Sequence, residues 1–211
     1  MTKISEEVNL DLDIIKELTD IINNTEFTGE QGRSEIYLKN RFSDHSDYWQ
    51  EPQPRFSVSQ EEMDKMANEI LHDPEVKEFG LVKHWFQTAY SRGWVNYIDS
   101  DYKYWNKAVC QKIRQAVDSI GVDFHKITIN ELPQQRGLII HRDGCWKYHY
   151  PIRTNPQCFL YDATDPIDQK VYHLEQGKLY NVDTTRDHYV YNASHDTRYH
   201  LIMNYGGYTA N

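Results

Sequence analysis

The sequence predicts an α+β protein: a double-stranded β-helix, or jelly roll, in its second half, backed by a helical layer in its first. Three observations predict it. Apolar residues recur at helical spacing up to about residue 120. From Gly121 onward, short β-branched or aromatic runs follow one another at close, fairly even spacing, separated by turn residues. The gaps between those runs have no room for a crossover helix, so the strands are expected to be antiparallel and to close into a sandwich or barrel. At 211 residues the chain is expected to form one compact domain, with residues 1–120 as the helical layer and 121–211 as the core.

In the first half, Leu10, Ile14, Ile15, Leu18, Ile21 and Ile22 fall on one helical face. Ser59 and Glu62 form a capping-box pair ahead of Met63, Met66, Ala67, Ile70 and Leu71. Trp105, Ala108, Val109, Ile113, Ala116, Val117 and Ile120 predict a long helix capped at Ser100 and stopped at Gly121. EPQPRF (51–56) and HWFQTAYSRGWVNY (84–97) show no period; Trp85, Phe86, Tyr90, Trp94 and Tyr97 are expected as core between helix and sheet, with a pocket wall as the alternative. In the second half eight runs read as strands: HKITINEL, GLIIHRD, KYHYPIR, CFLYDA, KVYHLE, KLYNVDT, HYVYNA and RYHLIMNY. No internal repeat or low-complexity tail interrupts them.

Composition excludes several classes. Hydrophobic content of 39% and aromatic content of 13% fit a folded protein. A net charge of −9 argues against a broad nucleic-acid or anionic-membrane surface. The start carries no apolar signal region and no run approaches transmembrane length. Cys110, Cys145 and Cys158 are odd in number and widely spaced, which suits free thiols and a cytoplasmic setting. Asn192-Ala193-Ser194 matches a glycosylation acceptor and is read as chance.

One constellation carries chemistry. His141 and Asp143 stand at i and i+2 of a strand-like run, so they share a face, with Ile139 expected on the same side. A third ligand should come from a strand distant in sequence. His188 is the first candidate; His195 would lie solvated in a turn, and His173 lies too near the first pair in chain order. Two imidazoles and one carboxylate on one side of a metal leave three positions open, an arrangement suited to non-haem Fe(II) and oxygen, with zinc as the other metal. Arg198 follows His188 by ten residues. In a hairpin around ASHDT the even separation would put both on one face, and a guanidinium there could clamp a carboxylate through two hydrogen bonds. 2-Oxoglutarate offers a chelating 2-oxo acid and a distal carboxylate. Singly, each of these residues reads as structural; the order His-x-Asp, His, Arg is what points to a site.

From about Glu131 to Asn204 the sequence resembles the aspartyl/asparaginyl β-hydroxylase family, a branch of the 2-oxoglutarate- and Fe(II)-dependent oxygenases. The matching pieces are ELPQQRGLIIHRDG, KYHYPIRTNP and GKLYNVDTTRDHYVYNASHDTRYHLIMN. Some members of that family lack the carboxylate ligand; Asp143 is present here, as in the similar bacterial proline hydroxylases. The resemblance implies His141, Asp143 and His188 as iron ligands and Arg198 on the distal carboxylate of 2-oxoglutarate. It also implies Lys147 and His149 reaching the cosubstrate; Lys147 reads equally as a solvated strand-edge lysine, and His200, expected beside His149 and Arg198, equally as a satisfied core histidine. The implied activity consumes O2 and 2-oxoglutarate, hydroxylates an unactivated C–H of an amino acid, peptidyl side chain or related small metabolite, and releases succinate and CO2. Trp146 and Arg153 are candidates for reaching that substrate. Nucleic-acid and membrane partners are not expected. Two other classes stay open: a cupin-like metal isomerase or hydrolase, which would not need Arg198, and a non-catalytic β-barrel binding module with structural histidines.

Overall fold

Period-two alternation builds two sheets whose facing surfaces enclose a common interior. The computed structural model describes residues 5–8, 13–25, 34–40, 59–71 and 102–206. In chain order these form β1 (Ser5–Val8), α1 (Ile15–Asn23), β2 (Ser34–Tyr37), β3 (Lys39–Asn40), α2 (Gln60–Leu71), β4 (Tyr104–Trp105) and α3 (Gln111–Ser119). Then follow β5 (Ile127–Leu132), β6 (Arg136–Gly137), β7 (Trp146–Arg153), β8 (Cys158–Asp162), β9 (Lys170–Tyr172), β10 (Leu179–Val182), β11 (His188–Asn192) and β12 (Arg198–Tyr205). A six-stranded sheet runs in the order β1-β10-β7-β12-β5-β2, a four-stranded sheet in the order β6-β11-β8-β9, and β3 pairs with β4. Neighbours in both large sheets are antiparallel.

Both faces of the six-stranded sheet are buried, and they differ in kind. One carries Ile127, Ile129, Tyr150, Ile152, Leu179, Leu201 and Met203, which pack against Ile14, Leu18, Ile113 and Val117 of the α1 and α3 region. The other carries Thr128, Asn130, His149, Arg198, His200 and Asn204, all buried. It meets the four-stranded sheet across a smaller apolar cluster that includes Leu132, Leu160, Val182 and Val190. The polar positions of these strands therefore face an interior rather than solvent.

Local signals hold where they are short-range. Ile14, Leu18, Ile21 and Ile22 are buried along α1. Ser59 Oγ accepts from Glu62 N at 3.3 Å, while Ser59 N donates to Glu62 Oε2 at 3.0 Å, which is the capping box ahead of α2. Gly121 follows α3 with φ +74°, the left-handed conformation that ends a helix. The helix before it is shorter than its apolar stripe implied. Tyr104–Trp105 is a strand, and Asn106 makes a turn, its Oδ1 accepting from Ala108 N at 2.9 Å. Arg114 donates to the carbonyls of Asn106 and Val109, so the backbone before Gln111 is satisfied without helical bonds. Leu10, Ser100, residues 51–56 and Trp85, Phe86, Tyr90, Trp94 and Tyr97 lie outside the described residues.

Three expectations are corrected by pairing. First, β1 and β2 come from the helical half of the sequence yet form the two edges of the six-stranded sheet; at four residues each, their alternation is too brief to read. Second, β11 and β12 are not a hairpin: β11 pairs with β6 and β8, β12 with β5 and β7, and residues 193–197 cross between sheets. Buried Asn192 holds that crossing. Its Nδ2 donates to Leu132 O, Pro133 O and Asp196 O at 3.2, 3.1 and 2.8 Å, and its Oδ1 accepts from Ser194 Oγ at 2.7 Å. An amide so engaged is no glycosylation acceptor in the folded chain. Third, GLIIHRD is mostly irregular. Gly137 pairs with Tyr191 and His141 bridges His188, so four steps on one segment face three on the other. The extra residue is a bulge, which re-aims the side chains that follow. Ile139, expected beside His141, is instead 86% exposed.

Gly137 allows that bulge to start close against β11. A Cβ there would lie 2.7 Å from Val190 O and 2.8 Å from Tyr191 Cδ2. Gly137→Ala is expected to lower stability by about 1–3 kcal/mol, because a backbone carbonyl cannot step aside; urea unfolding monitored by circular dichroism measures this, and an unchanged midpoint would show that the segment relaxes freely.

Candidate metal centre

The bulge delivers His141 opposite His188. Each backbone donates to the other at 3.0 Å, and the two rings stand with centroids 4.3 Å apart. Both rings are oriented by the same device. His141 Nδ1 lies 2.7 Å from Ile139 O, and His188 Nδ1 lies 2.9 Å from Arg186 O. A ring nitrogen against a carbonyl carries the proton, so Nε2 of each ring is the atom available to a metal. Asp143 arrives by a separate anchor: its N donates to Thr184 O at 2.8 Å, and Thr184 Oγ1 donates to Cys145 O at 2.6 Å. One ligand atom from each of His141, Asp143 and His188 lies within 4.8 Å of the others. Outside this cluster, Arg142 Nε and Nη2 donate to Asp187 Oδ1 and Oδ2 at 2.6 and 2.7 Å. That two-pronged pair joins the residues next to His141 and His188.

The charges suit a metal. Burial alone would raise the Asp143 carboxyl, but the Lys147 ammonium and the His188 ring outweigh it and hold Asp143 well below the usual carboxylate range. Burial pushes the His141 ring below its ordinary value, against the pull of Asp143. An ionised carboxylate and a neutral imidazole are the forms that coordinate metal.

The interior face of the six-stranded sheet supplies the opposite wall. Lys147 and His149 share a face of β7, Arg198 and His200 a face of β12. Lys147, His149 and Arg198 line one cleft with His141, Asp143 and His188, together with Leu132, Leu138, Leu160, Val190 and Ile202. Arg198 thus faces the ligands from the other sheet, not from a hairpin partner. A smaller cavity behind it is lined by His149, Cys158, Arg198 and His200. His149 and His200 meet edge to face at 5.8 Å, and neither ring nitrogen of either residue has a hydrogen-bond partner among the described residues. Buried polar atoms left open toward a cavity mark a place for a polar ligand. Two imidazoles, one carboxylate and this basic, open-ended wall fit Fe(II) and a dicarboxylate.

Other candidates fall elsewhere. His195 and Arg153 lie in a surface cleft with Thr154, Asn155 and Tyr199, and His173 Nδ1 is bound to Cys158 O. Trp146 stands near Tyr205 and is absent from the lining of the metal cleft. The parts played by Thr184, Asn192 and the Arg142–Asp187 pair escaped the sequence reading. Only the last left a signal: opposite charges immediately flanking the two histidines.

Two outcomes follow from this geometry. Arg142→Ala should weaken divalent-metal binding by roughly tenfold, since partners that orient ligands typically carry that much affinity; isothermal titration measures it, and the effect should not add to that of Asp187→Ala. Burial, then the nearby cations, holds the rings of His149 and His200 well below their ordinary value, so they stay neutral when folded. Unfolding frees them to take up protons below about pH 6.5. The unfolded state then binds more protons, so this contribution to stability is complete above that pH and falls as pH drops beneath it. Urea unfolding at a series of pH values should show the decline, and a His149→Leu/His200→Leu protein should show a shallower one.

Comparison with known proteins adds the following. The family model described as aspartyl/asparaginyl β-hydroxylase matches residues 60–206. The curated proteins contain no match. Among solved structures, a cupin domain from Bordetella pertussis Tohama I is 22% identical, with 37% of this chain and 78% of that chain covered at a TM-score of 0.32. An oxidoreductase of the 2OG-Fe(II) oxygenase family from Burkholderia pseudomallei is 12% identical, with 48% of this chain and 56% of that chain covered at a TM-score of 0.37. A non-heme monooxygenase in a nickel complex is 13% identical, with 44% and 49% covered at a TM-score of 0.33. These similarities are partial, whereas the family match runs through β5 to β12 and every residue of the metal cluster. On that match, the chain belongs to the aspartyl/asparaginyl β-hydroxylase family.

Proposed function

We propose that this protein is a 2-oxoglutarate- and Fe(II)-dependent dioxygenase that hydroxylates an unactivated C–H bond of an amino acid, a peptidyl side chain or a related small metabolite. The observation that carries the reading is a single cleft. It holds the three donor atoms on one side and the buried Arg198 on the other. Family membership supports an oxygenase-type activity.

In this reading His141, Asp143 and His188 hold the iron. When bound, the iron with O2 and 2-oxoglutarate supplies the oxidising power for C–H hydroxylation, with succinate and CO2 as coproducts. The protein's part is binding and orientation. Arg198 offers its fork of N–H donors to the distal carboxylate, a geometry a lysine cannot reproduce. His149, neutral and without a partner for its ring nitrogens among the described residues, offers either a donor or an acceptor beside it. Leu132, Leu138, Leu160, Val190 and Ile202 line the same cleft and exclude water from the reacting centre. A cupin-like isomerase or hydrolase, or a binding module, would have no use for a buried arginine lining the same cleft as His141, Asp143 and His188. Among the described residues no helix is long and apolar enough to cross a membrane. Three free, widely spaced thiols, Cys110, Cys145 and Cys158, favour a cytoplasmic location.

Anaerobic addition of Fe(II) and then 2-oxoglutarate should produce a visible charge-transfer band in the wild type and none in His188→Ala. Without a band or cosubstrate binding in the wild type, the proposal fails. Arg198→Ala should weaken 2-oxoglutarate by about 2–5 kcal/mol, the cost of losing a buried charge-assisted pair, while leaving Fe(II) affinity near wild type. Equal loss of both would show a folding defect instead.

A further inference from the structure

Lys147 makes a contact that a three-ligand metal site does not require. Its Nζ lies 2.7 Å from Asp143 Oδ2, and both side chains are largely buried. The same oxygen faces His188 Nε2 at 3.5 Å. Lys147 cannot drift from this position easily, because β7 is hydrogen-bonded to β10 on one side and β12 on the other, with Lys147 opposite Val182 and Asn204. The carboxylate oxygen nearest the imidazoles is therefore already engaged by a cation of the protein. At this separation, and shielded from water, the attraction is strong. Without it, the carboxylate would stand largely shielded from water with no ammonium against it.

We infer that Lys147 is a built-in counter-ion for Asp143, with which an incoming divalent metal competes. It acts as a positioning residue. It keeps the carboxylate directed at the two histidines and sets how tightly the cluster holds metal. The inference rests on the reading of His141, Asp143 and His188 as ligands, but it differs from the cosubstrate contact that family resemblance implies for Lys147. Its logic is electrostatic. Two cations share one carboxylate, so each weakens the other's hold, and the metal binds less tightly than the donor set alone would allow. The ammonium stabilises the metal-free protein and opposes the metal-loaded one, which makes the metal exchangeable.

The test uses Mn(II), a redox-stable divalent ion, titrated into the chelator-treated full-length protein and read by the loss of the free-ion electron paramagnetic resonance signal. Thermal unfolding of the chelator-treated protein is measured alongside. Lys147→Met should bind Mn(II) roughly tenfold tighter than the wild type, as expected when a nearby like charge is removed. The same variant should unfold at a lower temperature without metal. Both effects should vanish when Asp143→Asn is already present, and Lys147→Arg, which keeps the charge, should stay near wild type. Lys147→Gln is read in the same way if the methionine variant does not fold. Unchanged or weaker Mn(II) binding in a folded Lys147→Met or Lys147→Gln protein overturns the inference while leaving the metal site intact. So does a loss of 2-oxoglutarate affinity with Mn(II) affinity unmoved, which would make Lys147 a cosubstrate contact alone. Failure of the wild type to bind Mn(II), or equal binding by Asp143→Asn, overturns both this inference and the metal-site reading.

Discussion

A buried sheet face made of polar side chains is the constraint on which the rest of this structure depends. Along β5, β7 and β12, one set of alternate residues packs against the α1 and α3 region while the other set turns inward. An inward polar face is tolerable only if its groups find partners or keep them in reserve for a ligand. Part of this face is satisfied by the protein. Thr128 Oγ1 donates to Asn130 Oδ1 at 2.6 Å, Asn130 Nδ2 donates to Glu35 Oε1 at 2.9 Å, and Lys126 Nζ donates to Glu35 Oε2 at 3.0 Å. That network runs to the β2 edge, so the first half of the chain completes the interior that the second half begins. The ring nitrogens of His149 and His200 are not satisfied in this way among the described residues, and His149 lines the cleft of the metal cluster.

The opposite wall depends on two departures from regular structure. The bulge between Gly137 and His141 brings one imidazole against another, and the Asn192 hydrogen bonds carry the chain from one sheet to the other. Together they place ligands on the four-stranded side and basic groups on the six-stranded side. A single sheet could not do this, because neighbouring side chains on one face point in parallel and do not converge on a shared atom. Two facing sheets supply convergence, and a cleft lined from both of them lies between.

Electrostatics then divides the interior into roles. Asp143 is ionised, and it draws Lys147. The rings of His141, His149 and His200 are kept neutral by burial, with further depression from Arg198 at His149 and His200. One carboxylate, two imidazoles and a set of cations form a site suited to a divalent metal at one end and a carboxylate at the other. The Arg142–Asp187 pair outside holds the two histidine segments at fixed spacing without adding net charge.

Much of this was legible in the sequence, and the illegible part has a common cause. The runs from HKITINEL to RYHLIMNY announce strands because alternation is a property of neighbours, and the capping box at Ser59 and the stop at Gly121 are equally local. The ligand types, and the order His141, Asp143, His188, Arg198, were also visible as spacing and as family resemblance. What could not be read was long-range pairing. The hairpin expected around ASHDT is a crossing between sheets, Ile139 is turned out by one inserted residue, and β1 and β2 are strands only because the edges of a sheet await them. Trp146 and Arg153, near the site in sequence, lie away from the metal cleft. By itself the sequence determined which residues alternate, which can bind a metal and which family the chain resembles, because these depend on side-chain chemistry and short spacing. Only the tertiary structure decided which sheet each strand joined and therefore which polar groups met across the interior, because backbone hydrogen bonds between distant segments are chosen by the fold as a whole.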